Sequence, residues 1–181
     1  MQRMLVMTII GPDRPGLVES VAALVAGHGG NWLESRMARL GGQFAGILRV
    51  EVPADQEASL TAVLKELEPR GLTIVAHSDP SGPPTVSARQ SLLEIVGQDR
   101  PGIVRQISSA LAAHGVNVEE LQTERASAAM SGETLFKARA RLSIPDSCDT
   151  AQLRQALEKI AADLIVEISL DELRPNDSAR V

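Results

Sequence analysis

Two copies of the phrase Gly-x-Asp-Arg-Pro-Gly, at residues 11–16 and 97–102, hold the residue types most able to do chemistry in this chain. In each copy the glycines permit close backbone approach or unusual angles. Pro15 and Pro101 are suited to a first helical position, where the missing amide hydrogen is not needed. The helix amides that follow, from Gly16-Leu17 and Gly102-Ile103 onward, have no intrahelical acceptor and carry partial positive charge. A carboxylate brought there would meet ready donors, and Asp13 or Asp99 could face an ammonium group. Loop and helix end together therefore suit a zwitterion. Asn31 and Asn117 open the next strand with an amide that both donates and accepts. The competing account is structural: the Asp caps its helix and the glycines mark a turn.

Other chemistries have weaker support. Three histidines and one cysteine show no His-x-x-x-His or Cys-x-x-Cys spacing, so neither a metal nor a cofactor is expected. His28 and His114 fall at helix ends, where a protonated imidazole would favour the dipole. Cys148, after Pro145-Asp146-Ser147, reads as an exposed loop thiol, and being alone it cannot form an internal disulfide. No Ser-His-Asp or Gly-x-Ser-x-Gly pattern appears, so no catalytic residue is expected. An acylphosphatase-type enzyme is the alternative, with Arg14 or Arg100 holding phosphate, but neither loop has the required Gly-rich run. Lys137, Arg139 and Arg141 line one strand face and are the concentrated positive feature; a solvated or acidic-partner-facing strand explains them. With a net charge of −5, two Phe, one Trp and no Tyr, the chain lacks stacking platforms and long-range attraction to phosphate. Direct nucleic-acid binding is not expected. The apolar run 4–10 is too short to span a bilayer and lacks a cleavage site, so a cytoplasmic, membrane-free protein is expected.

The elements that must position these residues are duplicated as well. An offset of 86 places 11–34 on 97–120 with eleven of 24 positions identical, including the Asp, Arg, Pro, His, Gly and Asn residues named above. Farther on the offset becomes 92, pairing Phe44/Phe136, Arg49/Arg141 and Pro53/Pro145, so six residues enter the second copy near 127–133. Each copy opens with a buried strand, 4–10 or 92–96. A helix with stripe Leu17, Val18, Val21, Leu24, Val25 or Ile103, Val104, Ile107, Leu111 follows and stops at Gly29 or Gly115. A strand from Asn31 or Asn117 comes next, then one whose period-two alternation ends at Pro53 or Pro145. A helix carrying Leu60, Val63, Leu64, Leu67 or Leu153, Leu157, Ile160 precedes a last strand, 72–76 or 164–170. The order β-α-β-β-α-β, twice, gives an α+β protein: two ferredoxin-like domains, each an antiparallel four-stranded sheet with two helices on one face. The boundaries read as 1–78 and 91–174, with a Pro/Gly/Ser linker at 79–90 and a tail at 175–181.

Strand, Asp-Arg-Pro-Gly, helix, His-Gly-x-Asn and strand together resemble the ACT domain, a small regulatory module that typically binds amino acids. Two such modules with no catalytic partner resemble the glycine cleavage system transcriptional repressor family over nearly the whole chain. The resemblance implies a non-catalytic regulator that binds a small amino acid, glycine foremost. It would control glycine cleavage genes through a DNA-binding activator protein; a module regulating an enzyme is a further alternative. Apart from the resemblance, unpaired sheet edges invite association, and a homodimer is expected to cover helices or outer edges. The resemblance also implies ligand sites where two domains meet, contacted by Asp13 and Asn31 or by Asp99 and Asn117. Arg14, Pro15, Gly16, Leu17 and Arg100, Pro101, Gly102, Ile103 complete the two loops. The serine-sensing pattern has a His where Gly11 and Gly97 stand, and an Asn in place of the Asp.

Overall fold

Alternation of apolar and polar residues along each strand turns one face of each sheet toward two helices. A computed structural model describes residues 1–79, 88–127 and 134–173, and the chain divides into two compact units, Met1–Pro83 and Pro84–Val181. In unit 1, β1 (Gln2–Pro12), α1 (Leu17–Gly27), β2 (Asn31–Leu40), β3 (Gln43–Pro53), α2 (Glu57–Lys65) and β4 (Thr73–Ser78) follow one another. Unit 2 repeats the series as β5 (Ala88–Gln98), α3 (Ile103–Ala113), β6 (Asn117–Ser127), β7 (Thr134–Pro145), α4 (Thr150–Leu164) and β8 (Val166–Glu172). Sheet orders are β2-β3-β1-β4 and β6-β7-β5-β8, antiparallel throughout. This is the expected ferredoxin-like arrangement, with β3 or β7 inserted inside a right-handed βαβ crossover.

Each unit has its own core. Leu5, Met7 and Ile9 of β1 and Leu48, Val50 and Val52 of β3 meet Val21 and Val25 of α1 and Leu60 and Leu64 of α2. Leu93 and Ile95, Ala138 to Ile144 at alternate positions, Ile107, Leu111, Leu153 and Leu157 do the same in unit 2. Trp32, opposite Val50 on β2, packs against the first core; its counterpart in the second is Val118, beside an apolar crevice of about 30 Å³. The sheet faces turned away from the helices differ. In unit 1, Thr8 stands between Ile47 and Val75, and Ile10 between Ala45 and Thr73; Ile10, Ile47 and Val75 are roughly half exposed. In unit 2, Glu94 stands between Arg139 and Ser169, and Val96 between Lys137 and Glu167.

Several local expectations need correction. The helices begin at Leu17 and Ile103, so Pro15 and Pro101 lie in the preceding turn and are not the first helical residues. The cause is Gly16 and Gly102, which occupy the N-cap at φ +89° and +96°, a left-handed conformation that suits glycine. Val18 and Val104 of the expected stripes are exposed. Leu164 ends α4 instead of opening a strand, and Ile165 after it is held at φ +57°. Cys148 is half-buried against the second core, its N–H donating to the Pro145 carbonyl at 2.9 Å. The helices do stop as expected: Gly29 and Gly115 have φ of +67° and +69°, just after His28 and His114 at the C-caps. The His28 ring donates from Nδ1 to the Leu24 carbonyl (2.8 Å), and its Nε2 lies 3.3 Å from Ser59 Oγ. β5 starts at Ala88, inside the stretch read as linker. The rest of that stretch, 80–87, lies outside the described residues, as do 128–133 of the insertion and the tail from 174.

Candidate functional site

The loop after each first strand is shaped by what its backbone must avoid. A side chain at Gly11 would collide with the Gly71 carbonyl oxygen, and one at Gly97 would come within 2.6 Å of Val166 Cγ1 and 2.7 Å of Val166 Cα. The histidine of the serine-sensing pattern therefore has no room at either position. The loop backbone is then latched to the facing hairpin, with Asp13 N–H donating to Gly42 O at 2.9 Å and Asp99 N–H to Thr134 O at 3.0 Å.

Neither aspartate caps its helix. Side-chain caps are absent at Gly16 and Gly102. The first backbone bonds are Ser20 N–H to Gly16 O (2.9 Å) and Gln106 N–H to Gly102 O (3.0 Å). The amides of Leu17, Val18 and Glu19, and of Ile103, Val104 and Arg105, thus precede the first intrahelical bond and are the donors a helix start exposes. The carboxylates turn instead to an arginine on the neighbouring strand. Asp13 Oδ2 lies 2.8 Å from Arg39 Nε, and Asp99 Oδ2 lies 2.7 Å from Arg125 Nε. Asp13, Arg14, Gly16, Leu17, Glu19 and Phe44 line an open groove in unit 1. Phe44 is opposite Gly11 in the sheet, as Phe136 is opposite Gly97.

Arg39 and Arg125 were not among the expected site residues, although the offset of 86 that relates the loops also relates them, five positions beyond Glu34 and Glu120. The adjacent arginines have other duties. Arg14 donates from Nη2 to the Arg70 carbonyl (2.9 Å), and Arg100 from Nη2 to Gln98 Oε1 (2.9 Å).

The asparagines are placed far from the aspartates. Asn31 faces Glu51 on β3, while Pro12, next to Asp13, faces Gln43, eight residues away along the same strand. Asn117 faces Ser143 and Gln98 faces Leu135, again eight residues apart. At a strand rise near 3.3 Å per residue the separation is roughly 26 Å, so one unit does not bring its own Asp and Asn together.

The triplet of cations on β7 is distributed among acidic neighbours. Lys137 Nζ is 3.8 Å from Glu124 and Arg139 Nε is 3.6 Å from Glu94, while Arg141 stands opposite Glu120. Among the described residues no group of three or more His, Cys, Asp or Glu is placed to hold a metal ion, and no helix is long and apolar enough to cross a membrane.

Comparison with known proteins agrees with this architecture. ACT-domain models match residues 3–76 and 91–164. The glycine cleavage system transcriptional repressor of Escherichia coli K12 is 25% identical over 174 residues, 94% of this chain and 90% of that one. The crystal structure of an unknown protein from Galdieria sulphuraria superposes with a TM-score of 0.86 at 30% identity, covering 96% of this chain and all of that one. A second crystal structure, provisionally named a glycine cleavage system transcriptional repressor, gives 0.68 at 20% identity over 96% and 99% of the two chains, which speaks to fold alone. The chain belongs to the ACT-domain family and carries two ACT domains in tandem.

Proposed function

We propose that this chain is a non-catalytic regulator that binds a small amino acid, glycine foremost, at the Asp13 and Asp99 loops. Its output would be control of glycine cleavage genes through a DNA-binding protein partner. The observation that carries the reading is the recurrence, in both units, of a carboxylate held beside a helix start whose amides it leaves free. Negative charge is favoured at those amides, and the carboxylate offers an acceptor to an ammonium, so a zwitterion matches both. Pro15, Gly16, Leu17 and their counterparts Pro101, Gly102, Ile103 shape the seat. Likeness to the repressor over 94% of the chain supports the transcriptional output, and the acidic neighbours of Lys137, Arg139 and Arg141 support an indirect one.

A role for Asn31 and Asn117 needs an aspartate from another ACT unit, since the register keeps each far from the aspartate of its own unit; a homodimer would offer further units. Ligand changes output only by preferring one arrangement over another. Calorimetry of the full chain against glycine and serine tests the reading. The Asp13→Ala/Asp99→Ala variant is expected to lose affinity at least about tenfold, as charge-assisted bonds are lost. Unchanged affinity removes those residues from the site, and salt-sensitive retention of DNA by the protein alone contradicts the indirect output.

A further inference from the structure

We infer that Arg39 and Arg125 are ligand-binding residues, each forming with its aspartate a two-point receptor for the carboxylate and ammonium of an α-amino acid. The inference rests on the amino-acid reading above and adds to it the residue that receives the ligand's negative end.

The geometry of the pair is specific. Each arginine uses Nε to meet the carboxylate, at 2.8 Å in unit 1 and 2.7 Å in unit 2. Among the described residues the terminal nitrogens of both guanidinium groups donate no hydrogen bond, and Asp13 Oδ1 and Asp99 Oδ1 accept none. Each pair therefore presents a free planar donor fork next to a free acceptor oxygen. An α-amino acid presents the complement, a carboxylate and an ammonium separated by one carbon. Planar forks of this kind suit bidentate carboxylate recognition.

Folding does not account for the pair. Both arginine side chains are 70% exposed, and exposed ion pairs contribute little to stability. Sequence drift does not account for it either. The four residues before Arg39 are Ser35-Arg36-Met37-Ala38, and those before Arg125 are Leu121-Gln122-Thr123-Glu124, with no identity between them. Yet the arginine recurs, and in both units it stands opposite a phenylalanine, Phe44 or Phe136, that also faces the loop glycine. In unit 1 that ring lines the same groove as Asp13, so the fork stands at the margin of the groove.

Calorimetry on the full-length protein with glycine and serine as probes tests the assignment. Arg39→Gln/Arg125→Gln is expected to bind the preferred probe at least about tenfold more weakly than wild type, with a melting temperature within about 2 °C. Arg39→Lys/Arg125→Lys should fall between the two, since lysine keeps the charge but not the fork. Glycinamide, which has no carboxylate, should distinguish wild type from the Gln variant far less than glycine does. Wild-type affinity in the Gln variant overturns the assignment and leaves the amino-acid reading standing. If wild type binds neither glycine nor serine, both are overturned together.

Discussion

The two ACT units share a frame but not a surface. The same backbone collisions fix Gly11 and Gly97, the same left-handed N-caps fix Gly16 and Gly102, and the same ion pair joins Asp13 to Arg39 and Asp99 to Arg125. Around that loop the units part. Arg14 serves a backbone carbonyl where Arg100 serves a side chain. Near the loop, the sheet face turned away from the helices is uncharged in unit 1, with Thr8, Ile10, Ile47 and Val75, and charged in unit 2, with Glu94, Lys137, Arg139 and Glu167. α4 is capped by Asp149, which accepts from Ala151 and Gln152 N–H, whereas α2 has no side-chain cap. The difference separates two kinds of residue: those the loop geometry demands, which recur, and those that only clothe the sheet, which do not.

That separation can be broken experimentally. Gly11→Ala should destabilise unit 1 by about 2–3 kcal/mol, because the new methyl meets a backbone oxygen that cannot swing away. Denaturant titration would measure it, and a loss below about 0.5 kcal/mol would mean the close approach is not a constraint. The junction before the last strand gives a comparison with opposite signs. Gly71 is relaxed at φ +85°, whereas Ile165 strains at +57°. Gly71→Ile is expected to lose about 1–2 kcal/mol and Ile165→Gly to gain about 1 kcal/mol, visible as opposite shifts in melting temperature. Asp149→Ala should lose about 1 kcal/mol with its cap, while Gln56→Ala, at the uncapped α2, should change almost nothing. Smallest of all, Arg139→Gln should stay within about 0.5 kcal/mol, since its contact with Glu94 is solvent-exposed. A larger loss there would show that the charged face is structural.

Most of the fold was legible because its signals are periodic and occur twice. The alternation of β7 reports burial directly, the stripe of α1 does so at every position but the exposed Val18, and Pro53 and Pro145 mark where their strands end. The helix start was misplaced by two residues because proline's preference for a first turn competes with a left-handed glycine, and only the backbone angle decides. Long-range pairing was harder. Nothing in the residues near Asn31 reveals which end of the sheet it occupies; that follows from the register of β2 on β3. The partner of Asp13 was within reach, since Arg39 and Arg125 keep the offset of the loops, but it lies in a stretch where the surrounding residues no longer match.

Trp32 gives this molecule a built-in label. It is the single indole of a chain without tyrosine, and it rests on the core of unit 1. Excitation at the long-wavelength edge of the indole band, where phenylalanine does not absorb, therefore illuminates one half of the protein and leaves the other dark, while circular dichroism of the helices reports on both. Coincident melting curves from the two signals would mean that the halves come apart as one cooperative body. Staggered curves would assign each transition to its own half without mutating a residue.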